Sequence, residues 1–251
     1  MLSRLPNLRD TTFFPALSDL PHDFPFTGSE SSYYTVSIDL TRIRPSRHWC
    51  LLAEIVRLQP WPTRPMYSAK DITGRTFLVS FHFDDRTLFP KVLEKGLVGS
   101  TICVMYANFH NFADGQVGVR LEEPKSVTIL PLGLEALVTA GETVRAGHLT
   151  PEICAFCGGS ALKKCSLCST IPYCSKTCQA QAWKTKHKKE CMVIRQMKKW
   201  NEFDWDRYDV HKGFQSSVIN SLFKSCVLNL TLFQVSPEDS DHTFCRSIGE
   251  Q

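Results

Sequence analysis

Residues 154–191, "CAFCGGSALKKCSLCSTIPYCSKTCQAQAWKTKHKKEC", hold seven of the chain's eleven cysteines. With His187 they form four pairs. Cys154/Cys157 and Cys165/Cys168 are each separated by two residues, which lets a tight turn aim two sulfurs at one ion. Gly158-Gly159 permits the backbone to bend just after the first pair. Cys174/Cys178 and His187/Cys191 are each separated by three residues, so on a helix the members of each pair share a face. "SKTCQAQAWKTKHKKEC" is rich in helix formers and lacks Pro and Gly, which predicts a helix there. Eight ligands make two tetrahedral sites, and seven thiolates with one imidazole suit Zn²⁺. With no position left for water, both ions are expected to be structural. So short a segment buries too little core to fold alone, and a structural zinc supplies about 10–16 kcal/mol.

Such pairs need elements to hold them, and 251 residues allow one large domain or two small ones. Residues 1–45, rich in Pro, Asp and Ser, read as a mostly disordered N-terminal arm, or as an arm lying on the next domain. Residues 46–131 read as a small β-rich domain. "WCLLAEIVRLQ" (49–59) fits a strand or a helix. "YSAKDITG" (67–74) and "RTFLVSFHF" (75–83) form a hairpin turning near Thr73-Gly74, with Phe77, Val79, Phe81 and Phe83 on one face. "DDRTLFPKVLEKG" (84–96) predicts a short helix capped by Asp85 or Thr87, with Pro90 in its first turn and Gly96 at its end. Strands follow at 101–109, 116–122 and 126–130. Three strands, a helix, then two or three strands is the element order of a small OB-like β-barrel. Residues 132–150 read as a linker with a helical stretch at "GLEALVTA", 151–199 as the zinc segment, and 200–251 as an irregular tail with isolated Cys226 and Cys245. The fold class expected is therefore α+β, an OB-like barrel followed by a two-zinc module.

The formal charge of +4 does not by itself argue for nucleic acid. The N-terminus has no uninterrupted apolar core, and the longest apolar run, "CVLNLTLFQV" (226–235), is far short of the roughly 20 residues of a membrane span. The expectation is an intracellular chain, in nucleus or cytoplasm and not at a membrane, where clustered cysteines are metal ligands and the sequon at Asn229 carries no meaning. His148, just upstream, reads as a linker residue.

The segment resembles the MYND-type zinc finger. All eight ligands occur in order, with Tyr173 before the fifth, Cys178-Gln179, and Trp183 shortly before "HKKEC". The resemblance implies a cross-brace: Cys154, Cys157, Cys174 and Cys178 on one zinc; Cys165, Cys168, His187 and Cys191 on the other. It also implies a protein-protein interaction module, an adaptor or regulatory protein that takes short proline-containing peptides through Gln179 and Trp183. A Trp face packs well on a proline ring, although Trp183 also reads as a residue packing on the finger's own body. Some MYND fingers sit in SET-domain methyltransferases, but their Asn-His-Ser-Cys stretch is missing here. So are a P-loop, a His-Glu-x-x-His and the deaminase pattern, and the expectation is that the chain is not an enzyme. The alternative is a nucleic-acid-binding transcriptional regulator. It would use the basic face of the finger, or Tyr67, Phe77, Phe81 and Tyr106 with Arg75 and Lys70 on the barrel. Within 154–191 seven Lys face one Glu, but seven thiolates and two Zn²⁺ leave −3, which offsets half of that +6.

Overall fold

A computed structural model describes residues 5–23, 32–36, 43–146 and 153–214. All belong to one unit. His148, Asn229, Cys226 and Cys245 lie outside the described residues. A short ladder pairs β1 (Tyr34–Val36) with β2 (Ile43–Pro45). The main sheet has seven strands: β3 (Cys50–Gln59), β4 (Met66–Lys70), β5 (Thr76–Phe81), β6 (Thr101–Met105), β7 (His110–Asn111), β8 (Val117–Leu121) and β9 (Val127–Leu130). Their order is β7-β8-β5-β4-β3-β6-β9, antiparallel except for the β5/β8 pair. β7 and β9 are the edges, and no ladder among the described residues joins them into the expected closed barrel.

β3 shows why pattern alone left 49–59 open. Leu51, Ala53 and Ile55 enter one core with Tyr67, Phe77, Val79 and Phe81. Cys50 and Leu52 enter a second core on the opposite face. A strand buried on both faces loses its alternation and reads as a continuous apolar run. β6 repeats this, with Ile102 and Val104 in the first core and Cys103 and Met105 in the second. The hairpin β4/β5 turns at Gly74, whose φ of +83° suits glycine. Asp71 organises the turn, accepting from the Thr73 and Arg75 amides. Helix α1 (Phe89–Lys95) follows a 3₁₀ turn that Asp85 caps through the Thr87 amide; Pro90 opens it and Gly96 ends it.

The second core carries the larger surprises. The segment read as a linker contains α2 (Leu134–Ala146), whose Leu134, Leu137, Val138 and Val144 enter that core. Glu54 of β3 accepts the Leu134 amide at 2.8 Å and so caps the helix from the sheet. The N-terminal residues are not disordered over 5–23. Leu5, Leu8, Phe13 and Phe14 enter the second core, and Leu17 and Leu20 enter the first. The Leu5 amide donates to Asn201 at 2.8 Å and the Leu17 amide to Asp71 at 2.9 Å, so the arm straps helix to hairpin. Nor are 201–214 irregular tail: Trp205 and Phe214 are buried in the second core, and the His48 amide donates to the Trp205 carbonyl. Scattered aromatics in both segments are the anchors, and their partners are remote in sequence. No described helix is long and apolar enough to cross a membrane.

Candidate metal centre

The cysteine segment begins with two turns of the same build. In the first, the Cys154 amide donates to the Gly159 carbonyl and the Gly158 amide to the Cys154 carbonyl. In the second, the Cys165 amide donates to the Ile171 carbonyl and the Ser169 amide to the Cys165 carbonyl. The residue after each Cys-x-x-Cys pair is left-handed: Gly158 at φ +76° and Ser169 at φ +52°. Glycine accepts this backbone readily; serine holds it at a cost of about 1 kcal/mol or more. A two-residue ladder, β10 (Lys163–Lys164) with β11 (Pro172–Tyr173), closes the second turn, and the Ala155 amide donates to the Pro172 carbonyl to bring the first turn against it.

The predicted single helix is divided in three. α3 (Lys176–Ala182) starts after Ser175, whose hydroxyl accepts the Cys178 amide. A π-helical turn follows at Trp183–His187, then α4 (Lys188–Trp200). Cys174 therefore precedes the helix; it meets Cys178 from the end of β11 and not from one helical face. π-turns widen the helix locally and recur at functional sites. Here the turn carries His187 at its end and separates Cys178 from Cys191.

Two groups of ligand atoms result, each lying within 4.8 Å of one another: Cys154, Cys157, Cys174 and Cys178, and Cys165, Cys168, His187 and Cys191. This is the interleaved grouping that the resemblance implied. Ligands about 2.3 Å from a tetrahedral ion stand about 3.8 Å apart. Cys157 and Cys174 sulfurs are 3.5 Å apart, Cys174 and Cys178 3.4 Å, Cys165 and Cys191 4.0 Å, and Cys168 Sγ is 3.8 Å from His187 Nε2. Disulfides, with sulfurs about 2 Å apart, are excluded at these spacings. The chemistry agrees. Hydrogen bonds from Cys168 and Cys191 hold the Cys165 thiol far below its ordinary range, and the same hydrogen bond with Cys165 drives Cys191 far above it. Buried sulfurs this close cannot all be thiolates without a cation, and Zn²⁺ resolves that conflict. The two groups fit two structural zinc ions.

Three contacts were not legible beforehand. His187 Nδ1, turned away from the sulfurs, has a Glu190 carboxylate oxygen at 3.9 Å. An acidic residue at i+3 on a helix was the available signal. Lys198 Nζ donates to the Cys168 carbonyl at 3.0 Å. The Tyr173 ring stands edge-on to His187 at 5.7 Å. Of the peptide candidates, Gln179 and Trp183 are both half-buried, and Trp183 sets its ring edge-on to His187 at 5.9 Å. The proposed base-stacking aromatics fare differently. Tyr67, Phe77 and Phe81 are core residues, and of that group Tyr106 alone keeps partial exposure.

Residues 154–191 match the family model described as MYND finger. Ubiquitin carboxyl-terminal hydrolase 19 of Arabidopsis thaliana is 45% identical over 42 residues, 17% of this chain and 6% of that protein. A SET and MYND domain-containing protein of Dictyostelium discoideum is 50% identical over 36 residues, 14% of this chain and 6% of that protein. The match thus spans a small fraction of these relatives. Among solved structures, the S. pombe Stn1-Ten1 complex aligns with 41% of this chain and 70% of its own at a TM-score of 0.30 and 16% identity. A replication protein A heterotrimer bound to ssDNA aligns with 51% and 83% at a TM-score of 0.29 and 9% identity.

Proposed function

We propose that the MYND zinc finger at 154–191 makes this chain a docking module for proline-containing segments of other proteins, a non-enzymatic adaptor or regulator working inside the cell. The observation that carries the reading is the placement of Trp183. It lies on the π-turn between the last ligand of one tetrad and the imidazole of the other, and is half-buried although its neighbours Cys191 and His187 are fully buried. A ring held at both ends by metal-pinned elements loses little entropy when a rigid proline segment covers its outer face. Gln179, one helical turn earlier and also half-buried, supplies a donor and an acceptor for the peptide backbone. On the same reading the sheet domain, OB-like in its element order and its β5/β8 parallel pair, is the body that carries the finger.

The test uses the full zinc-loaded chain against a library of proline-containing peptides. Trp183→Ala should keep both ions and the melting profile yet lose binding by about 2 kcal/mol or more, and Gln179→Ala should lose less. Affinity should change little with salt. A wild-type finger that captures no such peptide, or a Trp183→Ala protein that releases zinc, refutes the reading.

A further inference from the structure

Of the five tryptophans, Trp49, Trp200 and Trp205 are buried in the two cores and Trp183 is half-buried on the finger. Trp61 stands apart, with 56% of its surface exposed. It sits in the loop between β3 and β4, "PWPTRP", residues 60–65, which carries three prolines in six positions. Each proline fixes its own φ near −65° and confines the residue before it to extended backbone, here Gln59, Trp61 and Arg64. The start of the loop is therefore a short extended piece of polyproline character, and the chain bends only at 62–64.

The base of this loop is fastened on both sides. The Gln59 side chain donates to the Ser68 hydroxyl, and the Phe81 amide donates to the Pro65 carbonyl at 3.1 Å. The Arg64 guanidinium donates to the His82 ring, 2.6 Å from Nε2. Burial first, and then Arg64, push the His82 imidazole down to about 4, so at neutral pH the ring is uncharged and accepts. The tip, 60–63, is exposed and enters neither core, so packing does not account for an indole there. Proline rings on a preordered extended backbone are the chemistry that Trp183 and Gln179 are read as taking, and docking such a segment costs little entropy. An aromatic anchor at its centre adds to the contact. Among the described residues no hydrogen bond or ring contact joins 60–63 to the finger of the same copy.

We infer that the finger of one copy docks the Pro60-Trp61-Pro62 tip of a second copy, so that this chain associates with itself through its own proline-containing segment. The inference rests on the peptide reading of Trp183 and names a partner for it. Each copy carries both halves, so the contact closes reciprocally in a dimer or runs on head to tail. Charge does not drive it. Arg57 and Arg64 border the loop, and Lys184 and Lys186 border Trp183. An apolar contact between two basic surfaces gains from screening.

The test is sedimentation equilibrium of the full zinc-loaded chain, from about 1 µM to about 500 µM. The average mass should rise with concentration, and rise further as salt is added. Trp61→Ala should weaken association about tenfold or more without moving the melting profile, since the ring is exposed, and Trp183→Ala should weaken it about 30-fold or more. One variant keeps its finger and the other its loop, so the two mixed should associate again where each alone does not. A mass that stays at one chain across the range overturns the inference. So does association that survives Trp183→Ala, or that mixing fails to restore. The two readings fail separately: a finger that takes proline-containing library peptides through Trp183, in a chain that stays monomeric, keeps the peptide reading and removes this one.

Discussion

Cys157 of the first tetrad is exposed and Cys174 and Cys178 are half-buried, whereas Cys165, Cys168, His187 and Cys191 of the second are all buried. Both tetrads take two ligands from a Cys-x-x-Cys turn and two from further along the chain, and a two-residue ladder with the Ala155-to-Pro172 hydrogen bond ties them. Their surroundings differ. The second sits under Ile194, Met197 and Trp200 of α4, in the core that also holds α2, the N-terminal arm and Leu52 of the sheet. The first has exposed Phe156 and Leu162 nearby in sequence. The first touches the same core through buried Cys154, with Cys174 and Cys178 packed against its edge, while all four ligands of the second are inside it. Metal energy has the same source in both, but the fully buried site passes more of it on to the rest of the fold.

The largest expected effect sharpens this contrast. His187→Ala should lose the second ion, and a loss of about 10–16 kcal/mol is as large as the typical stability of a domain, about 5–15 kcal/mol. Tryptophan emission from Trp200 and Trp205 should shift to the red, and far-UV helix signal should fall. Cys157→Ala should show one zinc by native mass spectrometry with tryptophan emission near wild type. Equal unfolding of the two variants would break the comparison and make the finger one indivisible unit.

Next in size is Glu190→Gln. Glu190 lies 3.9 Å from His187 Nδ1, close enough to act by charge but outside hydrogen-bond reach, so its loss should cost about tenfold in metal affinity, the low end of what a bonded carboxylate partner supplies. Competition with a chromogenic chelator should show the second ion weakened by that factor and the first unaffected. Gly141→Val probes the roof of the same core. A Cβ at Gly141 would stand 2.8 Å from Leu8 Cδ1, so the substitution should displace the arm and cost about 1–3 kcal/mol in chemical denaturation. Chelator release should then quicken at the second site only.

The smallest effects compare the two turns directly. Ser169→Gly should stabilise the chain by about 1 kcal/mol, since it relieves a left-handed backbone at a non-glycine residue. Gly158→Ala should cost about as much; no atom lies within 4 Å of the added Cβ, so only the backbone is strained. Melting temperatures that move in the same direction would show that the two turns are not equivalent.

The metal ligands were legible because a sulfur pair two residues apart needs only a local turn, and local geometry is written in spacing. The hairpin at Gly74, the strand β5 and the cap at Asp85 were legible for the same reason. Cys174 was misplaced on a helix because an i+4 interval fits a helical face and a strand-to-helix corner equally well. The π-turn at Trp183–His187 leaves no mark in helix propensity. The arm was left open between disorder and a strap, and α2 was read only as a helical stretch of a linker, since Leu8, Phe14, Leu137 and Val144 gain meaning only from the core they share.

By itself, then, the order of residues settled that eight ligands exist, that they suit zinc, and that a β-rich body precedes them, because spacing and alternation act over a few residues. Which tetrad is buried, that α2 and α4 join the finger to the sheet, and that Tyr67 and Phe81 face inward while Trp61 faces water were decided by tertiary packing. A side chain's burial depends on what folds over it, and here those partners, Leu5 with Asn201 and Leu17 with Asp71 among them, lie tens to hundreds of residues away.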